Sequence, residues 1–247
     1  MLKIKGILVE MKIKTTNSPN FDGKSRNIKK IKFIIIHYTG MQSKRVSLKR
    51  LSDKKSKVSC HYLIDRMGKC IRLVKENKVA WHAGKSKWKN FVNLNVNSLG
   101  IELVNKGHKL GYQKFSKKQI KSLIKILFNL QKKYKIKNTN ILGHSDIAPL
   151  RKIDPGEKFP WKRIYKNTFN FETKNIKIKK KISKRQTRNE FFKNLYKIGY
   201  RYFFVNRPSK NDIKVIKAFQ RRYSQTKIDG KIDQKILKIS HFLATRT

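Results

Sequence analysis

Acidic residues are scarce in this chain: 14 Asp and Glu stand against 63 Lys and Arg, a formal net charge of +49 over 247 residues. Such a field attracts nucleic acid, anionic lipid or an acidic wall polymer. The lysines are spread along the chain and not gathered into one tract, so charge alone names no partner. Cysteine is nearly absent. Cys60 and Cys70 are too few for a disulfide scaffold and lack the Cys-x-x-Cys spacing of a metal cage, which leaves an incidental reduced pair. No apolar run approaches the ~20 residues of a membrane span. The stretch Met1 to Met11 is broken by charges and lacks the apolar centre of a secretory signal, which favours a cytoplasmic start. The hydrophobic fraction of 38% is well distributed, and the length suits one substantial core plus a small second domain.

The apolar pattern predicts a buried strand over 31–37, a hairpin from strands at 59–64 and 71–74 joined by Asp65-Arg66-Met67-Gly68, and a strand over 99–104. Ser116 caps a helix reaching Tyr134, with Ile120, Leu123, Ile124, Leu127, Leu130 and Tyr134 at helical spacing. A short strand over 140–143 follows. This mixture predicts an α/β domain, a central mixed β-sheet flanked by helices. Lys174 to Arg188 is polar and basic and reads as linker. Helical periodicity then returns over 190–199, 211–223 and 233–242, giving a small C-terminal three-helix domain. The expected boundaries are 1–167, a linker over 168–188, and 189–247.

The segment Gly143 to Gly156 is the richest in chemistry. Pro149 and Pro155 oppose a continuous helix, so His144, Lys152 and Asp154 belong to a folded-back loop. His37 ends the run Phe33-Ile34-Ile35-Ile36, where a strand gives way to loop. Two histidines and one carboxylate suggest a zinc site with one position open for water. Glu102 sits among apolar residues, either facing a cleft or simply outward from an alternating strand. Lys152 is either a cation poised to stabilise a developing oxyanion or one more surface lysine. Trp81-His82-Ala83-Gly84 either lines a groove or combines a packed tryptophan with a surface histidine, and His61 reads as an interior residue behind the site.

Six stretches carry a resemblance: Ser18-Pro19-Asn20-Phe21-Asp22, Ile36-His37-Tyr38-Thr39-Gly40, Val58 to Ile64, Ala80-Trp81-His82-Ala83-Gly84, Asn97 to Glu102, and Gly143 to Gly156. In this order they resemble the zinc-dependent N-acetylmuramoyl-L-alanine amidases of the type-2 group, related in fold to peptidoglycan recognition proteins and phage T7 lysozyme. The resemblance covers roughly residues 17–167. It implies one zinc on His37, His144 and Asp154, Glu102 as catalytic carboxylate, Lys152 as oxyanion partner, and Trp81, His82 and Asn97 as substrate contacts with His61 behind the ligands. Cys60 stands where some relatives carry a catalytic tyrosine, which leaves that work to Glu102. Leu195, Ile198-Gly199-Tyr200, Ile216, Phe219-Gln220 and Ile228-Asp229-Gly230 are similar to a small helical peptidoglycan-binding domain; a generic three-helix bundle is the alternative.

The implied reaction is hydrolysis of the amide between N-acetylmuramic acid and L-alanine, in peptidoglycan or soluble muropeptides. The alternative is a non-catalytic recognition protein on the same fold, against which the complete ligand set argues. Specific nucleic-acid binding is not expected, because no recognition motif accompanies the lysines. A wall-binding module points to the cell envelope, whereas the N-terminal stretch points to the cytoplasm.

Overall fold

The protein is described from a computed structural model over residues 12–164 and 183–246. The first eleven residues, residues 165–182 and the last residue lie outside the described residues, and with them most of the linker expected over 168–188. Compactness divides the chain into two units, one running to His82 and including Asn95–Ile141, the other comprising Ala83–Leu94 and Leu142 onward.

In the first unit, β1 (Ile13–Thr15) is followed by β2 (Phe33–Tyr38), whose Ile34, Ile35 and Ile36 are fully buried. A strand apolar on both faces suits a parallel sheet covered on both sides. Ser43 then caps helix α1 (Lys44–Ser52), accepting a hydrogen bond from Val46 N–H at 3.3 Å. Strands β3 (Tyr62–Ile64) and β4 (Cys70–Arg72) form the expected antiparallel hairpin. Its turn is held by Asp65, whose Oδ1 accepts from the N–H groups of Met67 (3.0 Å) and Lys69 (2.8 Å). Gly68 has φ +81°, and a Cβ there would stand 2.8 Å from both Lys118 O and Ser122 Oγ, so glycine is required on two counts.

The second unit begins with a small antiparallel hairpin, β5 (Lys87–Trp88) with β6 (Phe91–Val92). Back in the first unit, β7 (Ser98–Leu103) leads to helix α2 (Lys117–Tyr134), capped by Ser116 through Gln119 N–H at 3.0 Å. Ile126 takes the buried place expected of Ile124, which is 39% exposed. The two residues lie on opposite flanks of the apolar stripe, so spacing alone does not decide between them. Strand β8 (Ile141–Gly143) completes a sheet that, among the described residues, has six strands in the order β1-β4-β3-β7-β2-β8. Pairing is parallel for β1 with β4, β3 with β7 and β7 with β2, and antiparallel for β3 with β4. This is the mixed sheet with flanking helices that the sequence predicts.

The second unit continues with single-turn helices α3 (His144–Ile147) and α4 (Trp161–Ile164), then α5 (Lys184–Ile198), α6 (Asp212–Tyr223) and α7 (Gln234–Ala244). Phe191, Phe192, Leu195, Phe219, Ile236 and Leu237 are fully buried among these last three helices. Helix α5 starts six residues before the expected 190. A reciprocal capping box between Ser183 and Gln186 opens it, and Arg188, expected in the linker, pairs with Asp212 at 2.7 Å. Lys184 and Arg185 in its first turn are exposed, so no apolar residue marks where the helix begins. Among the described residues, no helix is long and apolar enough to cross a membrane.

Candidate metal centre

The parallel register of β2 and β7 sets His37 opposite Glu102, so an imidazole and a carboxylate leave one face of the sheet on neighbouring strands. His37 is buried, and its Nε2 lies 3.1 Å from Nδ1 of His82. His82 Nε2 lies 3.3 Å from Ser98 Oγ. The tautomer of His37 that donates from Nε2 to His82, with His82 donating onward to Ser98, presents Nδ1 to a metal. Such an outer partner fixes the tautomer and the ring orientation of a ligand. His82 packs over Gly100 so closely that a Cβ there would come within 2.3 Å of its ring.

His61 stands behind this pair, its ring centroid 5.7 Å from that of His82. It is fully buried; its Nδ1 accepts from Gly100 N–H at 3.0 Å, and its Nε2 lies 3.1 Å from Lys78 O and 3.0 Å from Arg26 Nη2. Burial, and then the charge of Arg26, push its pKa down from 6.5 to about 3. The folded protein therefore keeps His61 neutral, while the unfolded chain protonates it below its ordinary value. Its contribution to stability is complete above pH 6.5 and is lost as the pH falls towards about 3. Thermal unfolding followed across that window is expected to decline less steeply for His61→Gln than for the wild type; identical slopes would refute this. Arg26 holds the surrounding loops by donating to the carbonyls of Glu76, Asn95, Val96 and Ser98 at 2.8–3.1 Å. Nothing in the sequence sets Arg26 apart from other basic residues.

In the second unit, Pro149 limits α3 to one turn and the chain doubles back. Ser145 N–H donates to Asp154 O at 2.8 Å, which brings the carboxylate of Asp154 beside His144: Nδ1 and Oδ2 lie 3.1 Å apart, and both residues are buried. The other ring nitrogen, Nε2, lies 3.1 Å from Ala83 O. A hydrogen on Nε2 donating to that carbonyl leaves Nδ1 and the carboxylate as a ligand pair, again with an outer partner. Arg151 also donates to Ala83 O, and to Lys85 O at 2.8 Å, and burial lowers its pKa. Lys152 is half-buried in the same loop, its N–H bonded to Ala148 O at 3.0 Å.

His37, His144 and Asp154 each offer one ligand atom, all within 4.8 Å of one another. Two imidazoles and a carboxylate, buried and lacking thiolates, are a donor set that fits zinc. The cysteines stay outside this chemistry: both are buried and reduced, and burial raises Cys60 well above the ordinary thiol range and Cys70 to about 12. Trp81 donates its indole N–H to Asp22 at 2.7 Å, and Asn97, immediately before β7, donates to Lys30 O at 3.2 Å. His82, expected to touch substrate, bonds to His37.

A family model described as N-acetylmuramoyl-L-alanine amidase matches residues 27–157. The chain is similar to the N-acetylmuramoyl-L-alanine amidase AmiD of Escherichia coli, 32% identical over 87% of this chain and 82% of the relative. It is also similar to the 1,6-anhydro-N-acetylmuramyl-L-alanine amidase AmpD of Haemophilus influenzae, 33% identical over 64% of this chain and 92% of the relative. Among solved structures, E. coli AmiD in complex with anhydro-N-acetylmuramic acid-L-Ala-D-γ-Glu-L-Lys superposes with a TM-score of 0.74 at 29% identity, covering 91% of this chain and 92% of that one. AmpDh3 of Pseudomonas aeruginosa gives 0.72 at 26% identity, covering 94% and 98%. The chain belongs to the N-acetylmuramoyl-L-alanine amidase family, in its type-2 group.

Proposed function

We propose that this protein hydrolyses the amide between the lactyl group of N-acetylmuramic acid and L-alanine, using one zinc held by His37, His144 and Asp154. The observation that carries the reading is the convergence of those three buried donors, together with Glu102 in register beside His37. Zinc in such a site supplies Lewis acidity that makes water nucleophilic near neutral pH. Glu102 takes the proton of the attacking water and returns it to the leaving amine as the C–N bond breaks. The products are a carboxylic acid and a free L-alanine amine. The Lys152 ammonium stabilises the negative charge on the former carbonyl oxygen. The substrate class follows relatives whose solved complexes contain an anhydromuramoyl tripeptide and an anhydromuramic pentapeptide.

Residues 1–167 form the catalytic domain in this reading, and 189–247 a helical module that contacts peptidoglycan and places the enzyme in the cell envelope. The positive charge suits an anionic wall and requires no specific nucleic acid. Cleavage of purified muropeptides tests the reaction: removal of zinc by a chelator is expected to abolish product, and added zinc to restore it. Full activity in the metal-free protein would overturn the mechanism.

A further inference from the structure

The carboxylate of Asp146, two residues after His144, is buried to 1% exposure and sits amid three donors. Its Oδ2 accepts from Gly143 N–H at 2.7 Å and from Arg222 Nη1 at 2.5 Å, and its Oδ1 accepts from the hydroxyl of Tyr200 at 2.7 Å. The first bond closes the α3 turn on itself. The other two come from the C-terminal helices, Arg222 from α6 and Tyr200 from just beyond α5. Both partners are themselves fixed. The ring of Tyr200 meets Trp88 edge-on at 4.8 Å, Gly199 O accepts from Lys89 N–H at 2.8 Å, and the Arg222 guanidinium lies over Trp161 at 4.5 Å. Beyond Asp154, Gln225 Nε2 donates to Glu157 O and to Phe159 O, both at 2.7 Å. The C-terminal helices therefore grip the loop on either side of Asp154, at Asp146 before it and at 157–159 after it.

We propose that Tyr200 and Arg222, acting through Asp146, are positioning residues for the metal ligands His144 and Asp154, so that the C-terminal helices help to build the metal site as well as serving the wall. A carboxylate taken out of water is tolerated only when its oxygens are bonded, and such a group holds its surroundings in one arrangement. An exposed binding surface would need none of these buried partners. The inference rests on the zinc reading of the three-residue cluster.

The test measures zinc affinity directly, by competition with a chromophoric chelator, on the full chain and its variants. Arg222→Met keeps length and apolar packing but removes the charge, and is expected to weaken zinc binding about 10–100-fold, the usual range for outer-shell partners. Tyr200→Phe removes a single hydroxyl and is expected to weaken it several-fold, with muropeptide turnover recovering at saturating zinc. A role confined to stability would lower the unfolding temperature and leave zinc affinity of the folded variants unchanged; that outcome overturns the proposal. Should Arg222→Met not fold, Tyr200→Phe carries the same test alone. A wild type that binds zinc, shows these losses in the variants and still leaves muropeptides intact supports the clamp and refutes the amidase mechanism. A wild type that binds no zinc refutes both.

Discussion

Glu102→Gln is expected to lower muropeptide turnover by about 10²–10⁴-fold, the usual contribution of a positioned general acid–base, while zinc stays bound. Glutamine fills the same volume but cannot accept the proton of the attacking water. The proposed ligand set does not include Glu102, so chelator competition on the variant should give the wild-type affinity. The residue is the last but one of β7, held on one side by β2 and on the other by β3, with Leu63 opposite it. An amide at this position therefore leaves the sheet undisturbed, and a fall in rate is attributable to chemistry. Retained turnover would remove Glu102 from the mechanism; loss of zinc would show that its role is ligation.

A comparable loss is expected from a residue that has no side chain. In Gly100→Val, the new Cβ would have to occupy space 2.3 Å from Cγ, 2.6 Å from Cδ2 and 2.7 Å from Nδ1 of His82. Its neighbours are a buried ring and the sheet, neither of which yields readily, and overpacking of this kind costs about 1–3 kcal/mol in stability. The displaced atom Nδ1 is the one that faces His37, so a ~10–100-fold drop in zinc affinity is expected beyond the loss of stability. Gly23→Val is the matched control, since nothing lies within 4 Å of its would-be Cβ. Isothermal titration of both variants with zinc decides the matter. Equal affinities would show that His82 does not orient His37.

These two residues also mark where the sequence was legible and where it was not. His37 could be picked out because an apolar run ends on it, and His144 with Asp154 because two prolines forbid a continuous helix between them. The β3–β4 turn and the Ser116 cap were legible because their signals are local. The placement of Glu102 beside His37 depends on register between strands 65 residues apart, which no short-range pattern encodes. The same holds for His82 against His37 and for Arg222 on Asp146, which are separated by 45 and 76 residues. Arg26 and Arg188 were hidden for another reason: in a chain with 63 basic residues, a buried guanidinium has no compositional contrast. For Lys152 and Trp81 the residues alone left alternatives open, and the role of Asn97 came from the resemblance.

The adjacency of His37 and Glu102 has an evolutionary corollary. Their separation is dictated by main-chain pairing, the least mutable part of any protein, so neither can drift relative to the other without dismantling the sheet. Diversification within the lineage is thereby channelled to the connecting segments at the rim. Grafting such segments from a homologue of different peptide preference should alter what is cleaved without retuning how.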